Sequence, residues 1–108
     1  MRIVVLGCGF HGRGVAYQLA GSGQVDELLV VDKDPSRALA TASKAGARWV
    51  ELDIEEGGEL RTLLEGATVV FNAVGPYHLH GLKVIDAAID AGVHYVDKND
   101  DHEVTEAI

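Results

Sequence analysis

Cysteine is almost missing from this sequence. Cys8 is the single one in 108 residues, so no disulfide can form within the chain, which fits a reducing compartment. Basic residues are scarce as well: 9 Lys and Arg stand against 17 Asp and Glu, and the net charge of −8 argues against nucleic acid or an anionic membrane as a partner, because both require a basic patch. No apolar run approaches the roughly 18 residues of a membrane span. The opening apolar residues 1–6 do not read as a signal peptide either, since they are cut short at Gly7 and lack a small-residue cleavage site. The expected location is the cytoplasm. Proline occurs only twice, and no repeat, low-complexity tract or interdomain linker interrupts the chain. An apolar fraction of 47% over this length suits one domain with a single core, which is short for a dinucleotide enzyme carrying its own substrate domain.

Glycine, by contrast, is plentiful: four of the 13 fall between residues 7 and 14, and Gly7, Gly9 and Gly12 are the three that carry a recognisable spacing. Residues 3–14 read Ile-Val-Val-Leu-Gly-Cys-Gly-Phe-His-Gly-Arg-Gly, an apolar β-branched segment running directly into G-x-G-x-x-G. At Gly7 a strand can turn sharply, at Gly9 a pyrophosphate can approach the main chain, and at Gly12 the following helix can pack closely on the strand. That helix, starting near Phe10 and His11, directs unpaired N–H groups and the positive end of its dipole at a bound phosphate. The motif alone is weak evidence, but its setting adds to it. A helical pattern follows (Val15, Ala16, Leu19 and Ala20 on one face), then a second apolar run, Leu28 to Val31, ends at Asp32, 20 residues after Gly12. A carboxylate there is placed to accept from the hydroxyls of the adenosine ribose.

The remaining chain keeps alternating. Asp34-Pro35 reads as an N-cap followed by proline in the first turn, with Ala38, Leu39, Ala42 and Ala45 carrying a helix to Gly46. Residues 48–52 alternate as a strand ending at Asp53; Leu60, Leu63 and Leu64 mark a short helix stopped by Gly66; and residues 68–71 form an apolar strand of the kind buried on both faces. After Gly75-Pro76, the stripe Leu79, Leu82, Ile85, Ala88 and Ile89 predicts a longer helix ending at Gly92, followed by a last strand at residues 93–96. Five such alternations imply a three-layer α/β fold with a doubly wound parallel sheet, the Rossmann arrangement, in the order 3-2-1-4-5. The dinucleotide-binding domain is expected at residues 1–98. Residues 99–108 would begin a connection to an absent C-terminal domain.

In an open parallel sheet the ligand lies across the carboxyl ends of the strands, where strand order reverses. The candidate cofactor residues are therefore Gly7, Gly9, Phe10, His11 and Gly12 in the glycine turn, Asp32 and Lys33 after the second strand, Asp53 and Ile54 after the third, and Ala73, Val74 and Gly75 after the fourth, beneath the nicotinamide ribose. Asp32 favours NAD, because a carboxylate repels a 2′-phosphate; Lys33 and Arg37 are nearby cations able to compensate one, so NADP is the less favoured alternative.

No catalytic residue follows from spacing. His78 and His80 open the helix after Gly75-Pro76, and each reads either as a proton-transfer group or as an exposed first-turn residue. Their H-x-H spacing does not make a metal site, since residues two apart on a helix do not share a face, and no metal is expected. His94 reads as structural. Lys98 is the one cation near the expected substrate cleft, with a solvated loop lysine as its plainer reading. Cys8 reads as a small residue in a tight turn.

The stretches at residues 69–77, Val-Val-Phe-Asn-Ala-Val-Gly-Pro-Tyr, and 84–97, Val-Ile-Asp-Ala-Ala-Ile-Asp-Ala-Gly-Val-His-Tyr-Val-Asp, resemble the N-terminal cofactor domain of the saccharopine dehydrogenase family. The Asn-x-x-Gly-Pro-Tyr loop and the Ala-Gly-Val-His-Tyr-Val-Asp strand are far more specific than the glycine motif. The resemblance implies an NAD(P)-dependent oxidoreductase acting on the CH–NH group of an amino-acid-derived secondary amine. It also implies a second domain that supplies most of the pocket for a small-molecule substrate, so that the present residues alone would bind cofactor without turnover. A homodimer is compatible with this reading. The competing expectation is an NAD(H)-sensing regulatory module of the potassium-channel and transporter type, whose opening is similar to the glycine turn and to Val-Asp-Lys-Asp-Pro at residues 31–35.

Overall fold

The computed structural model describes residues 1–54, 57–74 and 77–97, the side chains of 10, 11, 77–83 and 97 excepted. Strands and helices alternate throughout: β1 Arg2–Leu6, α1 Phe10–Gly21, β2 Glu27–Asp32, α2 Pro35–Ala45, β3 Arg48–Glu51, α3 Gly57–Leu64, β4 Val69–Asn72, α4 Tyr77–Ala91 and β5 His94–Asp97. The five strands are all parallel and lie in the order β3-β2-β1-β4-β5, as the alternation predicts. The order reverses beside β1, whose neighbours are β2 and β4.

Two cores fill the spaces above and below the sheet. Ile3, Val5 and Val30 point one way, against Ala16 of α1 and Ala42 of α2. Val4, Leu6, Leu29 and Val31 point the other way, against Leu60 and Leu64 of α3 and Val84 and Ala88 of α4. This period-two division is why the central strands read as continuous apolar runs: both of their faces are covered. The local signals of α2 are realised in full. Asp34 caps it by accepting from the Ser36 N–H at 2.9 Å, Pro35 occupies its first turn, and Gly46 closes it at φ 69°.

Three expectations shift. β4 is not buried evenly on both faces: Val70 and Asn72 are buried, whereas Val69 and Phe71, on the α1 side, are only partly so. The reason is that α1 and α2 pack over β1, β2 and β3, leaving the β4 end of that face more open. In α4 Ala88 is fully buried as the stripe predicts, but the buried face is rotated: Val84, outside the stripe, is fully buried too, Ile85 is half-buried and Ile89 is 70% exposed. On α1 and α2, Ala20 and Leu39 also face outward rather than into the core. Leu79 and Leu82 have side chains outside the described residues.

Candidate cofactor site

Each strand next to the reversal point ends in a loop, and the backbone ties these loops together. The Gly7 N–H donates to the Val31 carbonyl at 2.7 Å, the Ala73 N–H to Leu6 at 2.8 Å and the Leu52 N–H to Asp32 at 3.1 Å, so the ladder carries the loops forward in register. Gly7 has φ 92°, a left-handed conformation that side chains rarely adopt, and a Cβ there would stand 3.1 Å from the Ala73 carbonyl. Gly12 is tighter still, because a Cβ would collide with the Gly7 carbonyl group. Gly9 is different in kind: a Cβ at this position meets nothing within 4 Å. It is also the N-cap of α1, and among the described residues no side chain caps that end. Open space in front of an uncapped helix N-terminus suits an anionic phosphate.

The loops enclose a cleft of about 320 Å³ lined by residues at the carboxyl ends of four of the five strands. The glycine turn contributes Gly7 and Gly9, the end of β2 contributes Asp32 and Lys33, the end of β3 contributes Asp53 and Ile54, and the end of β4 contributes Ala73 and Val74. Arg37, from the first turn of α2, lines it as well. Thus eight of the twelve candidate cofactor residues share one cleft, and Gly12 lies against its floor through Gly7. Phe10 and His11 lie in the first turn of α1 with side chains outside the description, and Gly75 falls outside the described residues altogether. So does Lys98. His78 and His80 lie in the first turn of α4, and their side chains are not described. His94 is exposed at the start of β5, away from the cleft.

Sequence reasoning missed the floor of the cleft. Leu6, Val31 and Leu52 line it as the last apolar residues before each carboxyl end, a signal available in the sequence but indistinguishable there from ordinary core. It also missed a second role of Asp32. The carboxylate is 9% exposed; one oxygen accepts the Cys8 N–H at 2.8 Å and the other the Asp34 N–H at 2.9 Å. Asp32 therefore pins the glycine turn to the end of β2 while it faces the cleft. Cys8 itself is buried, with Sγ 3.8 Å from the Val31 carbonyl. Burial pushes its thiol up to about 11, with a hydrogen bond from Thr41 opposing and the Asp32 charge adding to the rise. This is a packed thiol, held away from the thiolate form that reacts.

The cleft combines two cations, two carboxylates, a glycine turn and an apolar floor, the mixture that a dinucleotide with a charged diphosphate and flat aromatic ends requires. Comparison with known proteins agrees. Over 101 residues the chain is 31% identical to the trans-acting enoyl reductase of Mycobacterium tuberculosis, covering 88% of this chain and 24% of that protein. It is 27% identical to a probable mitochondrial saccharopine dehydrogenase-like oxidoreductase of Arabidopsis thaliana, covering 96% of this chain and 26% of that one. Among solved structures, the L-glutamate-forming saccharopine dehydrogenase of Saccharomyces cerevisiae superimposes with a TM-score of 0.79 at 26% identity, covering 89% of this chain and 21% of its own. The chain thus spans about a quarter of the length of the curated relatives it matches. Residues 3–107 match the saccharopine dehydrogenase NADP-binding domain family, and the chain belongs to that family.

Proposed function

We propose that this chain holds NAD(H) for hydride transfer at the CH–NH group of an amino-acid-derived secondary amine, with most of the substrate pocket supplied by a further domain. The observation that carries the reading is the convergence of Gly7, Gly9, Asp32, Asp53 and Ala73-Val74 on one cleft at the carboxyl ends of the strands. A bound nicotinamide supplies the hydride acceptor or donor. The chain's own residues bind and orient: the open space at Gly9 and the first-turn N–H groups of α1 receive the diphosphate, and Asp53 with Ile54 flank the adenosine end. His78 and Lys98 are the local candidates for proton transfer. Membership in the saccharopine dehydrogenase NADP-binding domain family favours this reading over the sensor.

NAD is preferred over NADP on this reading, because the Asp32 carboxylate accepts from ribose hydroxyls and repels a 2′-phosphate. The family carries NADP in its name, and Lys33 and Arg37 line the same cleft as potential phosphate partners, so the two cofactors must be titrated side by side. Tighter binding of NADH than of NADPH supports Asp32 as the governing residue; equal or reversed affinity transfers that role to Lys33 and Arg37. A cytoplasmic setting fits the single buried thiol, and cell fractionation tests it against the mitochondrial location named for the Arabidopsis relative.

A second reading, reduction of a carbon–carbon double bond, is favoured by the mycobacterial relative's name. Both reactions would use the same cleft. Assays with saccharopine, with lysine plus a keto acid, with polyamines and with an enoyl substrate separate them. The 108-residue chain by itself is expected to bind cofactor without turnover, because hydride transfer requires the reacting carbon within roughly 3–3.5 Å of the nicotinamide and this chain offers one wall of the cleft. Robust turnover by these residues alone would refute the two-domain reading.

A further inference from the structure

Asn72, at the carboxyl end of β4, is 2% exposed, and both ends of its side-chain amide are engaged. Its Oδ1 accepts the Val74 N–H at 3.0 Å, and its Nδ2 donates to the Tyr95 hydroxyl oxygen at 3.1 Å. A backbone N–H can only donate, so Oδ1 must face Val74, the amide orientation follows, and the Tyr95 oxygen must accept. The bond from Asn72 to the N–H two residues on is a local turn that sets the direction of the Ala73-Val74 loop. Tyr95 is a firm support for it. From β5 it pairs with Val70 of β4, lies on the same sheet face as Asn72, and packs its partly buried ring against the core under α3 and α4.

Neither Asn72 nor Tyr95 lines the cleft, but Ala73 and Val74 do, and they touch the glycine turn: a Cβ on Gly7 would stand 3.2 Å from the Val74 side chain. We propose that Tyr95 is a positioning residue for the nicotinamide half of the cofactor, acting through Asn72 to hold Ala73 and Val74, against which that half lies. The proposal rests on reading the cleft as a dinucleotide site. Removing the Tyr95 hydroxyl leaves Nδ2 a buried donor with no acceptor there, and rotating the amide to relieve it would break the bond to Val74.

The test is Tyr95→Phe in the 108-residue chain, titrated with NADH by emission and calorimetry and with AMP, which lacks the nicotinamide half. NADH should bind about two- to tenfold more weakly, the effect of one neutral hydrogen bond. Its bound emission should shift toward that of free NADH, while AMP affinity stays unchanged. Asn72→Ala should weaken NADH at least as much, and adding Tyr95→Phe to it should change nothing further. Equal weakening of AMP and NADH would reduce Tyr95 to a support of the whole fold and overturn the proposal, as would unaltered NADH affinity and emission. An unsubstituted chain that binds neither ligand would instead overturn the cofactor reading on which the proposal stands.

Discussion

The Gly7 carbonyl occupies the space into which any side chain at Gly12 would have to grow, with the Gly7 carbonyl carbon only 2.7 Å from an ideal Cβ. Helix α1 is therefore docked on the end of β1 at a distance that only glycine permits. Gly12→Ala must push backbone away from backbone, and it should cost about 1–3 kcal/mol of stability, the usual range for overpacking a tight site. Chemical denaturation measures it; a loss below 0.5 kcal/mol would mean that the helix slides aside without penalty.

Gly9→Val should behave in the opposite way. Nothing lies within 4 Å of a Cβ there, so the fold should survive with an unchanged circular dichroism spectrum and melting temperature. Cofactor binding should be lost, because the branched side chain fills the space proposed above for the diphosphate. Near-normal NAD affinity in this variant would place the phosphates elsewhere.

Asp32→Ala should weaken both binding and folding. The loss of NAD affinity is expected at about 1.5–3 kcal/mol, as for a hydrogen bond to a charged group. Stability should fall as well, since the Cys8 and Asp34 N–H groups lose their shared acceptor. Calorimetry and denaturant melts on one preparation separate the two effects, and a variant of unchanged stability would contradict the pinning role.

Cys8 should resist alkylation at pH 8 in the native chain and react rapidly once unfolded, because burial keeps the thiol protonated. The sign of its pH linkage follows from the rise of the folded value to about 11 from 9.0. The stabilising contribution is fully present below pH 9 and is lost as pH rises toward 11, where the unfolded chain ionises first. Stability curves of the parent chain and Cys8→Ala between pH 8 and 11 should differ in slope over that window; parallel curves would count against the buried thiol.

Asp34→Ala removes the cap of α2 and should cost about 0.5–2 kcal/mol. The exposed Asp34–Arg37 pair, at 3.7 Å, contributes the smaller share. Thermal melts test the first point. Arg37→Ala tests the second, and a cost as large as that of Asp34→Ala would make the ion pair the main source.

Much of this protein is decided by local chemistry. The turn at Gly7, the cap at Asp34-Pro35 and the closure at Gly46 are properties of a few neighbouring residues, and they appear in the structure where the sequence implies them. Alternation of apolar runs with helical stripes was enough for the parallel sheet and its strand order, because short connections and handed crossovers leave few other arrangements. Which face of α4 is buried was legible only in part: Ala88 of the predicted stripe is buried, but Val84 takes the place that the stripe gave to Ile89, and only docking against α3 and the sheet selects between them. The same holds for the site. The sequence by itself marked Asp32 as a carboxylate at the end of a strand, but that this carboxylate clamps the Cys8 amide, and that Tyr95 reaches Asn72 across 23 positions, depends on strands brought side by side. Hydrogen bonds between residues distant in the chain have no periodicity to betray them, so only the tertiary structure decides which polar groups meet.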